Sequence, residues 1–347
     1  MVTLSLERQI EARRLPTWAP WATGAGALAV ALAVGLLGSG PSVAGVIALA
    51  VVLYAVVLYA ASRTVEGPRR ATDRLASILV TSAFALAMIP LVSLVWIVAS
   101  RGARLFSAAF LTTDMVGIFG EMTEGGAVHA IVGTLLVTGA AAVISIPIGL
   151  LTAIYLVEYG RGPLARAITF LVDVMTGIPS IVAGLFAFAL FTLIFGPAYR
   201  AGIMGAVALA VLMTPVVVRS VEEMLRLVPN ELREASYALG VPKWLTIVKV
   251  VLRTAMAGIV TGIMLAIARV IGETAPLLIT VGQLNQMNWD LFDGRMMTLP
   301  VFAYRQYAQG GVGIDRAWAA ALTLILIVMA LNLVARLVSR YFAPKAR

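Results

Sequence analysis

Eight apolar runs recur along this chain, near 18–38, 42–61, 75–99, 127–157, 167–195, 202–218, 247–282 and 317–339. Each approaches the ~20 helical residues that cross a hydrocarbon core. The pattern predicts an all-α, polytopic membrane protein of about eight transmembrane helices. Composition agrees: 61% of residues are hydrophobic, 12% are charged and mean hydropathy is +0.97. Soluble domains carry about 25% charged residues. The polar start "MVTLSLERQIEARRLPTW" precedes a run long enough to span, so it reads as no cleavable signal.

Lys and Arg alternate in abundance between the connecting segments. Nineteen lie in 1–17, 62–74, 158–166, 219–253 and 336–347, against six in 100–126, 196–201 and 283–316. This asymmetry predicts a multi-pass protein of the cytoplasmic membrane with both termini cytoplasmic. The net charge of +9 thus records orientation and calls for no nucleic-acid partner. Cys is absent and His129 is the single histidine, so no thiol, histidine or metal chemistry is expected, and no cofactor. The first two spans, joined by "GSGP", read as a helical hairpin. With the basic linker they form one part, 1–74, and six spans form a second, 75–347.

Two spans carry breaks. In "DVMTGIPSIVAGLFAF" (173–188), Gly177 and Pro179 interrupt the fifth span, and Gly272 and Pro276 bracket Glu273 and Thr274 in the seventh. Broken helices persist at membrane depth where they are buried in protein or line a cavity. Gly and Pro are also common in membrane helices. Together with intramembrane charge, the two breaks point to a pathway. At 100° per residue, Gly258, Gly262, Ala266, Arg269 and Glu273 share one face of a continuous helix. Gly258 and Gly262 form a G-x-x-x-G, so this face meets protein or water.

In the cytoplasmic segment 219–253, Val228-Pro229 stops one helix, Asn230 is a candidate N-cap, and Gly240 with Pro242 closes a short helix near 231–239. Leu232, Ala235 and Leu239 share a face of it. The helix fits either a groove on another protein or the lipid headgroups.

"EASYALG" (234–240) resembles the EAA loop of ABC importer permeases, E-A-A, three residues, G, nine residues, I-x-L-P. Glu234, Ala235 and Gly240 match. Ser236 replaces the second alanine, and Arg253 stands at the proline position. Further stretches, "GGAVHAIVGTLLVT" (125–138), "PIGLLTAIYLVEYG" (147–160), "DVMTGIPSIVAGLF" (173–186) and "ARVIGETAPLL" (268–278), are similar to the phosphate importer permeases of the PstA type. The resemblance covers about residues 75–340. It implies a six-helix permease core without catalysis of its own. It also implies a second, PstC-type permease subunit, two ATP-binding subunits and an extracytoplasmic phosphate-binding protein as partners. Glu234, Ala235, Ser236, Leu239 and Gly240 would then couple to the ATP-binding subunit. Consistently, the sequence holds no G-x-x-x-x-G-K-[ST] loop for ATP.

Two readings of Arg269 and Glu273 stand side by side. Either they form an i,i+4 pair that locks helices, or Arg269 helps phosphate cross while Glu273 restrains it, with Thr274 and freed backbone amides as donors. Arg219 is a second candidate at the inner exit, or a positive-inside anchor. Asp173 is expected to pair with Arg166. Rival functions are a permease for sulfate or molybdate and an ion-coupled secondary transporter, which would typically carry inverted repeats.

Overall fold

The computed structural model describes residues 14–37, 42–120 and 122–342. The "GSGP" turn, Glu121 and the extreme termini lie outside these residues. Among the described residues the fold is all-helical, with seven helices long and apolar enough to span a membrane, or eight if one bent pair counts as a single span. By internal contacts the chain divides into two units, 1–96 and 97–347.

In the first unit, α1 (Ala19–Leu37) packs along α2 (Val43–Val65), and α3 (Pro68–Gly102) begins after a two-residue turn. Small residues set the buried face of α1, at Ala19, Ala27 and Ala31. Ser42 caps α2, its hydroxyl accepting the Gly45 N–H at 3.0 Å. α3 has 35 residues, about 52 Å of helix, so it outruns a ~30 Å hydrocarbon core. Its first two turns, "PRRATDR", carry the charge, and the apolar run starts at Leu75.

The second unit opens with the last turns of α3 and a short α4 (Ala108–Thr112), followed by α5 (Val128–Ile154) and a π-helical turn at Tyr155–Tyr159. Then come α6 (Pro163–Thr176), α7 (Ser180–Phe195), α8 (Gly202–Arg226), α9 (Asn230–Ala238), α10 (Lys243–Thr246) and a second π-helical turn at Ile247–Val251. α11 (Leu252–Val270), α12 (Ala275–Thr280), α13 (Leu299–Gln309) and α14 (Val312–Phe342) complete it. α8 is the core helix, with Met204, Leu209, Met213, Val217, Val221 and Leu225 fully buried. Its small and apolar residues, from Gly205 and Ala206 to Val221 and Leu225, pack against α5, α7 and α11. His129 at the start of α5 is buried edge-on against the Phe302 ring, centroids 5.4 Å apart.

Both breaks fall where Gly and Pro predict them. The fifth span is not one rod, since α6 and α7 meet at 107° across Gly177–Pro179. α11 ends at Val270, four residues fail to be helical, and α12 restarts with Pro276 in its first turn. Glu273 is therefore off the helix that carries Arg269, which corrects the expected common face.

Candidate functional site

The stripe of small residues on α11 does what its spacing predicts. A Cβ at Gly258 would collide with the Met224 side chain, and one at Gly262 would lie 2.6 Å from Ser220 Cβ. Both targets are on α8, so only glycine lets the two helices come this close. Ala266 is buried on the same face. Beyond it, α11 stops and Arg269 reaches an open site.

That site is a cavity of about 200 Å³ where the two helix breaks meet. Thr176, Ile178 and Ser180 enter it from the α6–α7 break, Arg269 and Glu273 from the α11–α12 break, and Leu212, Pro215 and Val216 from α8. Arg269 is exposed and Glu273 half-buried. Among the described residues no ion pair within 4.0 Å joins either to a partner. The self-neutralising i,i+4 pair is thus not formed, because the helix ends between them. A guanidinium with five donors, two hydroxyls and one carboxylate share a small chamber with apolar walls.

The residues of the breaks themselves are placed differently from expectation. Pro276 is buried against α7, where a Cβ at Gly184 would lie 2.6 Å from Pro276 Cα. It joins helices and does not face the cavity. Gly177, Pro179 and Gly272 are exposed and shape the bends, while their neighbours line the chamber. Thr274 precedes α12, and its carbonyl accepts the Leu278 N–H at 3.0 Å. Thr176 and Ser180 were missed by sequence reasoning, although both flank the Gly177–Pro179 signal.

Arg219 stands apart from this chamber. It pairs with Asp173 of α6 and, at 2.8 Å, with Glu222, which also holds Arg226 at 2.7 Å. Glu222 is buried and flanked by both arginines. Asp173 therefore pairs with Arg219, 46 residues away, and not with Arg166. The four-residue network ties α6 to α8 and leaves Arg219 engaged.

The short helix α9 is pinned at two places. Arg233 Nη2 donates to Glu158 Oε1 at 2.9 Å and to the Leu225 carbonyl at 3.0 Å, and its Nη1 donates to the Val228 carbonyl. Glu158 sits in the π-helical turn after α5, and its carbonyl also receives Lys243 Nζ. Ser236 is buried and shares a 2.8 Å hydroxyl bond with Thr246. Ser236 thus anchors the loop from within and, contrary to expectation, offers no outward contact. Asn230 is the first helical residue and not the cap; its side chain accepts from Arg233 at 3.3 Å. Gly240 takes φ +74°, the left-handed turn that closes the helix. The outward surface is Glu231, Leu232, Glu234, Ala235, Ala238 and Leu239, the last 83% exposed.

Between α12 and α13, Asp290 and Asp293 lie beside Tyr199. Burial first, and then these carboxylates, hold its phenol above the ordinary range. Asp315 is 4.0 Å from Arg104. Buried Arg316 donates to the carbonyls of Met122 and Glu124, tying that loop to α14.

A buried, close-packed α8, two broken helices around one chamber and a pinned, outward-facing short helix accord with comparison to known proteins. The family of binding-protein-dependent transport system inner membrane components matches residues 145–347. A Mycobacterium tuberculosis protein named phosphate transport system permease protein PstA 1 is 49% identical over 281 residues, 80% of this chain and 92% of the relative. PstA of Yersinia pestis is 40% identical over 291 residues, with the same coverage of each. This chain belongs to the PstA-type permeases. Chains of solved ABC transporters share its fold. That of the MetNI methionine ABC transporter has a TM-score of 0.52 at 21% identity, over 62% of this chain and 96% of its own. That of a bacterial alginate ABC transporter has 0.54 at 15%, over 80% and 97%.

Proposed function

We propose that this PstA-type chain forms half of the translocation pathway of an ATP-driven phosphate importer, with the α6–α7 and α11–α12 breaks as its phosphate-handling element. The observation that carries the reading is the chamber of about 200 Å³, in which Arg269 has no ion-pair partner among the described residues while Glu273 is a wall neighbour. Phosphate that leaves water needs donors, and a guanidinium fork matches its oxygens. Thr176 and Ser180 add hydroxyls. Glu273 keeps the chamber from becoming a trap, since a carboxylate beside the arginine opposes tight anion binding. Phosphate as cargo rests on the named function of the relatives.

The remaining assignments follow from this one. The outward face of α9, with Leu239 at its end and Gly240 closing it, docks on an ATP-binding subunit. Two such subunits, a PstC-type second permease and an extracytoplasmic phosphate-binding protein complete the importer. Both termini are cytoplasmic, on the Lys- and Arg-rich side. Arg219 serves as an ion-paired strut between α6 and α8 and not as a pathway residue.

The test is phosphate uptake by the importer reconstituted in vesicles, with ATP inside. Arg269→Gln is expected to slow uptake about tenfold or more, the scale of one charge-assisted hydrogen bond, while the complex still assembles. Undiminished uptake would remove Arg269 from the pathway. Uptake of sulfate or molybdate in preference to phosphate would overturn the cargo assignment.

A further inference from the structure

The N-terminal unit carries a cluster of arginines that the translocation reading does not use. Arg14 precedes α1, and Arg70 and Arg74 lie in the first two turns of α3. With Glu66 and Asp73 they line a cavity of about 360 Å³. Glu66 is already spoken for. Its carboxylate takes two bonds from Arg74, at 2.8 and 2.9 Å, one from Ser62 Oγ at 2.7 Å and one from the Leu15 N–H at 2.9 Å. Those bonds bind the segment before α1 to the α2–α3 turn, and so hold the pocket walls in place. Arg70 differs. Its Nη1 is enclosed by protein and has no hydrogen-bond partner among the described residues.

We propose that this pocket is a binding site for a phosphate group, with Arg14 and Arg70 as its principal ligands. Three guanidiniums against two carboxylates leave a net positive charge. One carboxylate is saturated by its four bonds. Arg70 lines the pocket and makes no ion pair within 4.0 Å among the described residues, so an oxygen anion entering the pocket meets an uncommitted guanidinium. The start of α3 adds the positive end of a helix dipole. Location narrows the ligand. The pocket lies at the ends of apolar helices, just outside the span that begins at Leu75, on the side where Lys and Arg accumulate. Phosphates of anionic lipid headgroups occur at that depth, and free inorganic phosphate reaches it from the cytoplasm. The chemistry is shared and the source is a matter for experiment.

The test titrates the full-length chain in maltoside micelles with short-chain phosphatidylglycerol and, separately, with inorganic phosphate, and follows the thermal unfolding midpoint. The midpoint should rise saturably with at least one of the two. Arg14→Gln and Arg70→Gln should each raise the half-saturating concentration about tenfold. Arg69→Gln, an exposed arginine that does not line the pocket, should leave it unchanged. A response to the lipid alone identifies a headgroup site, and a response to phosphate identifies a site for the free anion. No response to either overturns the proposal, and so does a response that survives both substitutions. Arg14 is exposed and its replacement does not threaten folding, so it decides the matter if the Arg70 variant misfolds.

Discussion

Glu66 carries the clearest electrostatic signature in the chain outside the spans. Burial raises its carboxyl pKa, but hydrogen bonds from Arg74, Leu15 and Ser62 outweigh burial and bring it from 4.5 down to about 2. A carboxyl whose folded pKa is depressed binds fewer protons folded than unfolded. Its contribution is therefore complete above about pH 4.5 and fades as pH falls toward about 2. Glu66→Gln should lower the unfolding midpoint of the N-terminal unit at neutral pH and leave it little changed near pH 2. Amide exchange at Leu15, whose N–H the carboxylate holds, reports the same loss locally. A wild-type advantage that stays constant across pH 2–5 would show that the charge of Glu66 does not matter. Arg269 is the opposite case, a charge that no ion pair within 4.0 Å engages among the described residues, and that difference separates a structural residue from a candidate for handling cargo.

Helices α8 and α11 show how far an element is governed by its own sequence. Gly262→Leu forces side-chain atoms into Ser220, and overpacking of this kind costs about 1–3 kcal/mol. The unfolding midpoint in detergent should fall accordingly. Gly272→Ala, where a Cβ meets nothing within 4 Å, should change it little. Equal effects would mean that the G-x-x-x-G contact contributes nothing. Spacing alone predicts this stripe, as local chemistry predicts the breaks at Gly177–Pro179 and Gly272–Pro276 and the left-handed close at Gly240. What pattern could not supply is where the chain turns after a break, because the 107° between α6 and α7 is set by packing on α8 and α12. Partners distant in sequence were equally hidden. Asp173 finds Arg219, and Glu158 finds Arg233 at 75 residues' remove. Ser236 read as a surface residue because a motif marks position and not direction, and its hydroxyl faces Thr246.

At the scale of the whole molecule, the question is whether the chamber and the outward face of α9 are separable parts of one machine. α11 connects them. It starts after the π-helical turn at Ile247–Val251, beside the α10 that receives Ser236, and ends at Arg269 and the chamber. If α9 docks on an ATP-binding subunit as proposed, its displacement would reach the foot of the helix whose far end carries the charge. Two substitutions distinguish the ends. Leu239 is 83% exposed, so Leu239→Asp leaves the fold intact but removes an apolar contact worth about 1.5–3 kcal/mol when buried. The purified complex should then lose its ATP-binding subunit at concentrations about tenfold higher than wild type does. Arg269→Gln should keep that subunit bound and its ATP hydrolysis intact, while phosphate uptake falls. Co-purification, hydrolysis and uptake measured on the same preparations decide between the assignments. If Leu239→Asp retains the subunit as tightly as wild type, α9 is not the docking element. If Arg269→Gln loses both hydrolysis and uptake, the arginine holds the helices together instead of handling the anion.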